Sequence, residues 1–115
     1  MSTTYDHALR LLHRVATPHG FLASAEDTTN YQRVWARDGV ICGLAALASG
    51  DEKLIAAFRA TLQTLAAHQH PIGTIPSNVW VKAQDAEVSY GGLAGRVDAV
   101  TWFVNDILPA LRERF

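Results

Sequence analysis

Apolar residues recur at helical spacing along several stretches of the chain, and the breaks between them fall at glycines and prolines. Tyr5, Ala8, Leu9, Leu11, Leu12 and Val15 line one side of a helical repeat over residues 5–15, and Pro18 with Gly20 ends the pattern. The segment "GFLASAEDTTNYQRVW" has no such repeat and reads as extended or looped chain. From Val40 to Ala48 nearly every position is apolar, which predicts a helix buried on most of its surface, with Gly50 as its C-cap. Asp51 then caps a further helix, "DEKLIAAFRATLQTLAAHQ", whose Leu54, Ile55, Phe58, Leu62 and Leu65 share a face. Its acidic first turn suits the helix dipole, and the short link "SGDE" makes the two helices an αα-hairpin.

Residues 70–96, "HPIGTIPSNVWVKAQDAEVSYGGLAGR", contain prolines and glycines and no long periodic stretch, so they read as a long loop of the kind that carries function. Val97, Val100, Trp102, Phe103, Ile107, Leu108 and Leu111 mark a last helix, which Pro109 kinks or interrupts. No segment alternates strongly enough to build a sheet. The expected class is therefore all-α, with about four helices and long functional loops.

A length of 115 residues suits one domain and is also short enough for part of a larger one, and 49% hydrophobic residues are ample for a packed core. No apolar run approaches the roughly 20 residues of a membrane span. The N-terminus "MSTTYDHALRLLHRV" carries Asp6 and lacks the apolar core of a secretory signal, so a cytoplasmic protein is expected. Ten basic residues balance eleven acidic ones without any block of like charge, which argues against nucleic acid or a membrane surface as partner. Cys42 is the single cysteine, so no disulfide framework exists, and its apolar setting suggests a small buried hydrophobe.

The chemistry-bearing residues gather in two places. In "NYQRVWARDGV", Trp35, Arg37 and Asp38 stand directly before an apolar helix; Asp38 can be an N-cap with Arg37 as its surface ion pair, or both can belong to a binding site. In "SYGGLAGRVDA", three glycines permit close backbone approach ahead of Arg96 and Asp98, but the Lys-Ser/Thr ending of a phosphate loop is missing, so no nucleotide cofactor is expected. Asp98 and Trp102 share a helix face. An indole beside a carboxyl raises its pKa toward that of a general acid, while the helix start favours the ionised form and makes Asp98 equally a cap. His68 and His70 alternate at a helix end, a poor geometry for a metal, and no metal centre is expected. Tyr31, Trp35, Trp80, Tyr90 and Trp102 can offer stacking faces to sugar rings, although aromatics more often belong to the core.

Taken in order, "YQRVWARDG", an αα-hairpin, "GTIPSN" and "YGGLAGRVDAVTWFV" resemble the N-terminal part of the catalytic domain of six-hairpin, (α/α)6-barrel glycoside hydrolases. The resemblance is to the amylo-α-1,6-glucosidase or glycogen-debranching type and to neutral/alkaline invertases, with glucoamylases more distant, and it covers about residues 28–110. It implies that Arg37 and Asp38 hold the non-reducing sugar and that Asp98 is the general acid, with Trp102 packed beside it. It also offers Tyr31, Trp35, Gln69, Pro76 and Tyr90 as pocket lining, and Arg96 as a further substrate contact.

Such barrels have six hairpins, whereas this chain supplies about two. Inversion needs a second carboxyl roughly 6.5–9.5 Å from the first, and none of Glu26, Glu52, Glu87 and Glu113 lies in a family-like base motif. The expectation is thus residues 1–115 as the N-terminal fragment of a six-hairpin glycosidase domain acting on an oligo- or polysaccharide. It would depend on the remaining hairpins and, taken alone, would be inactive and expose an apolar patch. Two rivals keep part of this picture: phosphorolysis on the same toroid, and a small non-catalytic helical carbohydrate-binding module.

Overall fold

A computed structural model describes residues 3–26, 32–91, 97–101 and 103–104, apart from the side chains of 97 and 98. The first helix, α1 (Thr4–Val15), opens on a reciprocal cap. Thr3 Oγ1 accepts from the Asp6 N–H and Asp6 Oδ2 accepts from the Thr3 N–H, each at 3.1 Å. Two short strands follow, β1 (Ala16–Thr17) and β2 (Gly20–Phe21), paired antiparallel. Gly20 has φ +129°, and a Cβ there would run into the backbone of Thr61, so both conformation and space select glycine.

The αα-hairpin forms as its sequence predicts, from α2 (Ala36–Ser49) and α3 (Glu52–Ala67). Gly50 ends α2 in the left-handed region at φ +71°, and Asp51 Oδ1 accepts from the Lys53 and Leu54 N–H groups to start α3. Ala36, Gly39, Val40, Gly43 and Ala46 form the buried stripe of α2. Gly39 meets Thr61 and Gly43 meets the fully buried ring of Phe58, where an added Cβ would overlap the ring. The stripe is small because α3 approaches so closely. The expectation that α2 is buried on most of its surface is corrected here: Ile41 is 47% and Leu44 38% exposed on its other side.

The expected all-α class is also corrected, to a mixed α/β fold. Strands β3 (Val34–Trp35), β4 (Asn78–Val81) and β5 (Ala86–Ser89) form an antiparallel sheet in that order. In the register, Val34 faces Val79 and Trp35 faces Asn78, while Asn78, Val79, Trp80 and Val81 face Ser89, Val88, Glu87 and Ala86. Residues 70–96 are accordingly not one long loop. The prolines and glycines that forbid a helix leave this segment extended, and β-branched Val79, Val81 and Val88 then alternate over runs too short to stand out by period alone. Their pairing is also non-local, since β3 lies more than 40 residues before β4.

The core has two parts. Val15, Phe21, Val40, Leu54, Phe58 and Leu62 build one beneath α1 and the hairpin, while Val34, Ala36, Leu65, Ile75, Val79 and Ala99 build the other under the sheet. Thr61 is buried where β2 meets α3, and its hydroxyl accepts from the Phe21 N–H (2.9 Å) while donating to the Ala57 carbonyl (3.0 Å). Ala99 belongs to the short helix α4 (Val97–Thr101), which packs against α2. No helix among the described residues is long and apolar enough to cross a membrane.

Candidate functional site

The sheet gathers the sequence motifs into one place. Trp35, Asn78 and Ser89 are directly opposite one another across β3, β4 and β5. One residue further along, the Ser77 carbonyl accepts from the Ala36 N–H (2.9 Å) and the Ser77 N–H donates to the Ser89 carbonyl (2.8 Å). "VWARD", "IPSN" and "VSY" are thereby laced together by backbone bonds, although more than 50 residues separate the first from the last.

Within this junction α2 begins differently from the N-cap reading. Trp35 is the capping residue and makes no side-chain cap bond, and Asp38 is the third residue of the helix. Ser77, immediately before β4, supplies the acceptor for the first helical N–H, and the Asp38 carboxylate is not the N-cap. Asp38 still lies in the first turn, where the dipole favours an anion, with exposed Arg37 beside it. One turn on, the partly buried Cys42 thiol is pushed up in pKa, first by burial and then by the Asp38 charge.

Asp98 lies on α4 next to Ala99, and Ala99 is buried in the same apolar cluster as Ala36. The helix α4, which carries the expected acid, packs against α2, and Ala99 and Ala36 share the second core. The side chain of Asp98 lies outside the described residues, as do Arg96, Trp102 and Tyr31.

The remaining expected pocket residues hold loops together. The Tyr90 hydroxyl donates to the His68 carbonyl (2.7 Å), and its ring meets His70 edge-on with centroids 5.2 Å apart. Gln69 Nε2 donates to the Gly73 carbonyl at 2.8 Å, closing the turn after α3. Pro76 is fully buried ahead of β4. His68 Nδ1 lies 2.8 Å from the Thr64 carbonyl, and His70 Nδ1 accepts from the Ile72 N–H, so both imidazoles have local partners. No group of three or more metal-ligating side chains occurs among the described residues.

The sequence reading named Trp80 as a stacking candidate but missed the charged residues that gather around it. Arg33, Trp80, Lys82 and Glu87 cluster on the sheet: Glu87 accepts from Arg33 (3.3 Å) and pairs with Lys82 (3.0 Å). The two cations lie 5.1 Å and 4.6 Å from the Trp80 ring centroid. Arg33 also donates to Asn78 Oδ1 at 3.2 Å, and its buried Nε has no hydrogen-bond partner among the described residues. The Glu87 carboxyl is held below its ordinary pKa, chiefly by the Lys82 hydrogen bond and charge and then by Arg33. The available signal was the alternation in "NVWVK" and "AEVS", which sets Asn78, Trp80 and Lys82 against Val79 and Val81, and Glu87 and Ser89 against Val88.

A cleft of about 340 Å³ beside this sheet is lined by Thr17, His19, Leu22, Gln32 and Trp80 with three valines; Trp80 is one of the aromatics expected to stack on sugars, whereas Arg37, Asp38, Gln69 and Tyr90 do not line it. No family model, curated protein or solved structure matches the chain.

Proposed function

We propose that this chain contributes the sugar-holding and acid half of a glycoside hydrolase site of the six-hairpin kind. Arg37 and Asp38 clamp the hydroxyls of a terminal sugar, and Asp98 protonates the departing glycosidic oxygen. The observation that carries the reading is the packing of α4, which bears Asp98, against α2, which bears Arg37 and Asp38, with Ala36 and Ala99 in the same apolar cluster under the sheet.

Glu87 is unsuited to act as the acid, because Lys82 and Arg33 hold it ionised. The base that activates water in an inverting reaction comes from other hairpins of the assembled domain. The test joins this segment to barrel-completing hairpins of a six-hairpin hydrolase and follows the anomer released from a maltooligosaccharide by proton NMR. Asp98→Asn is expected to lower kcat by about 10²–10⁴-fold with little change in KM, the span of a lost general acid. Turnover close to that of the parent, or a retained anomer, contradicts the assignment.

A further inference from the structure

We infer that the outward face of the β3–β4–β5 sheet, centred on Trp80, is a second sugar subsite that takes a neutral pyranose unit of the oligosaccharide held at Arg37 and Asp38. This rests on the glycosidase reading and extends it to residues that reading does not use.

The alternation of the strands divides the sheet cleanly. Val34, Val79, Val81 and Val88 face the core, which leaves Trp35, Asn78, Trp80, Glu87 and Ser89 on the other face. Trp80 is 39% exposed at the centre of that face, so an indole that stabilises nothing in the core remains available to the apolar C–H face of a sugar ring. Beside it stands the Glu87 carboxylate, with one oxygen on Arg33 and the other on Lys82, while the buried Asn78 amide, bonded to Arg33 and Ser77, holds Arg33 in place.

One detail chooses the ligand. Both cations are already engaged by Glu87, so an anion would have to displace or lie against that carboxylate, whereas a neutral polyol accepts and donates without such conflict. Lys82, on a flexible stem and 38% exposed, is the group that yields the indole face to the sugar. Trp80 is two residues along β4 from Asn78, a separation of about 7 Å, and Asn78 stands opposite Trp35 at the entrance to α2. The sheet thus ties the strand that carries Trp80 to the strand that enters α2, on which Arg37 lies.

The experiment titrates the 115-residue chain with maltotriose and, separately, with inorganic phosphate, following indole N–H resonances by NMR. Saturable movement of the Trp80 resonance by maltotriose is expected. Trp80→Ala should weaken binding roughly tenfold or more, as truncation of an aromatic anchor does, with Trp80→Phe and Glu87→Gln intermediate and Ile72→Ala, whose side chain is exposed on the turn after α3, unchanged. The inference is overturned by an unaltered affinity in a folded Trp80→Ala or Glu87→Gln variant, by competition of phosphate with maltotriose, or by absence of saturable binding. The Asp98→Asn turnover assay uses none of these residues, so either reading can fail while the other stands.

Discussion

The α2–α3 hairpin and the three-stranded sheet bury their chain by opposite means. In the hairpin, glycines at 39 and 43 let α3 in so closely that Phe58 and Thr61 fill all the space between the helices. The side chains that meet there, Phe58 and Thr61 among them, are buried in packing. The sheet buries only its valine face, and its other face keeps an indole, a carboxylate, an amide and two cations together. The difference teaches that the hairpin seam is given over to packing, while the polar side chains that the proposed sugar subsite draws on stand on the sheet.

Substitutions that strike the two regions separately break this comparison most sharply. Phe58→Ala should cost about 3–5 kcal/mol, the range for removing a buried aromatic, read from urea unfolding. Trp80→Ala on the outer face should stay within about 0.5 kcal/mol of the parent, as for a surface change. Similar losses for the two would show that the sheet face is structural after all. Next in size is Thr61→Val, which keeps the volume but removes the acceptor of the buried Phe21 N–H. It should cost about 1–3 kcal/mol, the penalty for an unsatisfied buried donor, and should speed amide exchange at Phe21.

The smallest effect concerns Asp51, which ties α1 to the hairpin through His13 at 2.9 Å. Its carboxyl lies below the ordinary pKa, first through the Leu54 N–H and then through the His13 hydrogen bond. A folded-state pKa below the unfolded one gives stability that is fully present above the unfolded value of about 3.9 and is lost as pH falls through the folded value. Asp51→Asn should therefore flatten the dependence of Tm on pH below about pH 4. An unchanged acid slope would remove Asp51 from the account.

The hairpin was legible in the sequence because its signals are local. Gly50 and Asp51 punctuate it, and Leu54, Ile55, Phe58 and Leu62 repeat on one face. The sheet was not legible, because β3 holds two residues and its partner Val79 lies 45 positions after Val34, so no window of sequence contains the pair. The site was legible in part. The helices that carry Arg37, Asp38 and Asp98 pack against each other, a neighbourhood that the long segment between them hid. Tyr90 and Gln69 were expected against sugar, yet the structure gives their polar atoms to His68 and Gly73, a use of side chains that depends on where the loops return. Asp38 looked like a cap because nothing in the sequence revealed that Ser77 of a distant segment would take the first helical N–H.

The central claim, that α2's first turn and α4 form one sugar-holding junction, is tested most directly by mapping backbone amide shifts of the chain during a maltotriose titration. The account predicts saturable shifts concentrated at Arg37, Asp38, Asp98 and Ala99, sharing one Kd and abolished together by Arg37→Ala. Shifts confined to elements remote from that junction, or none that saturate, would contradict it.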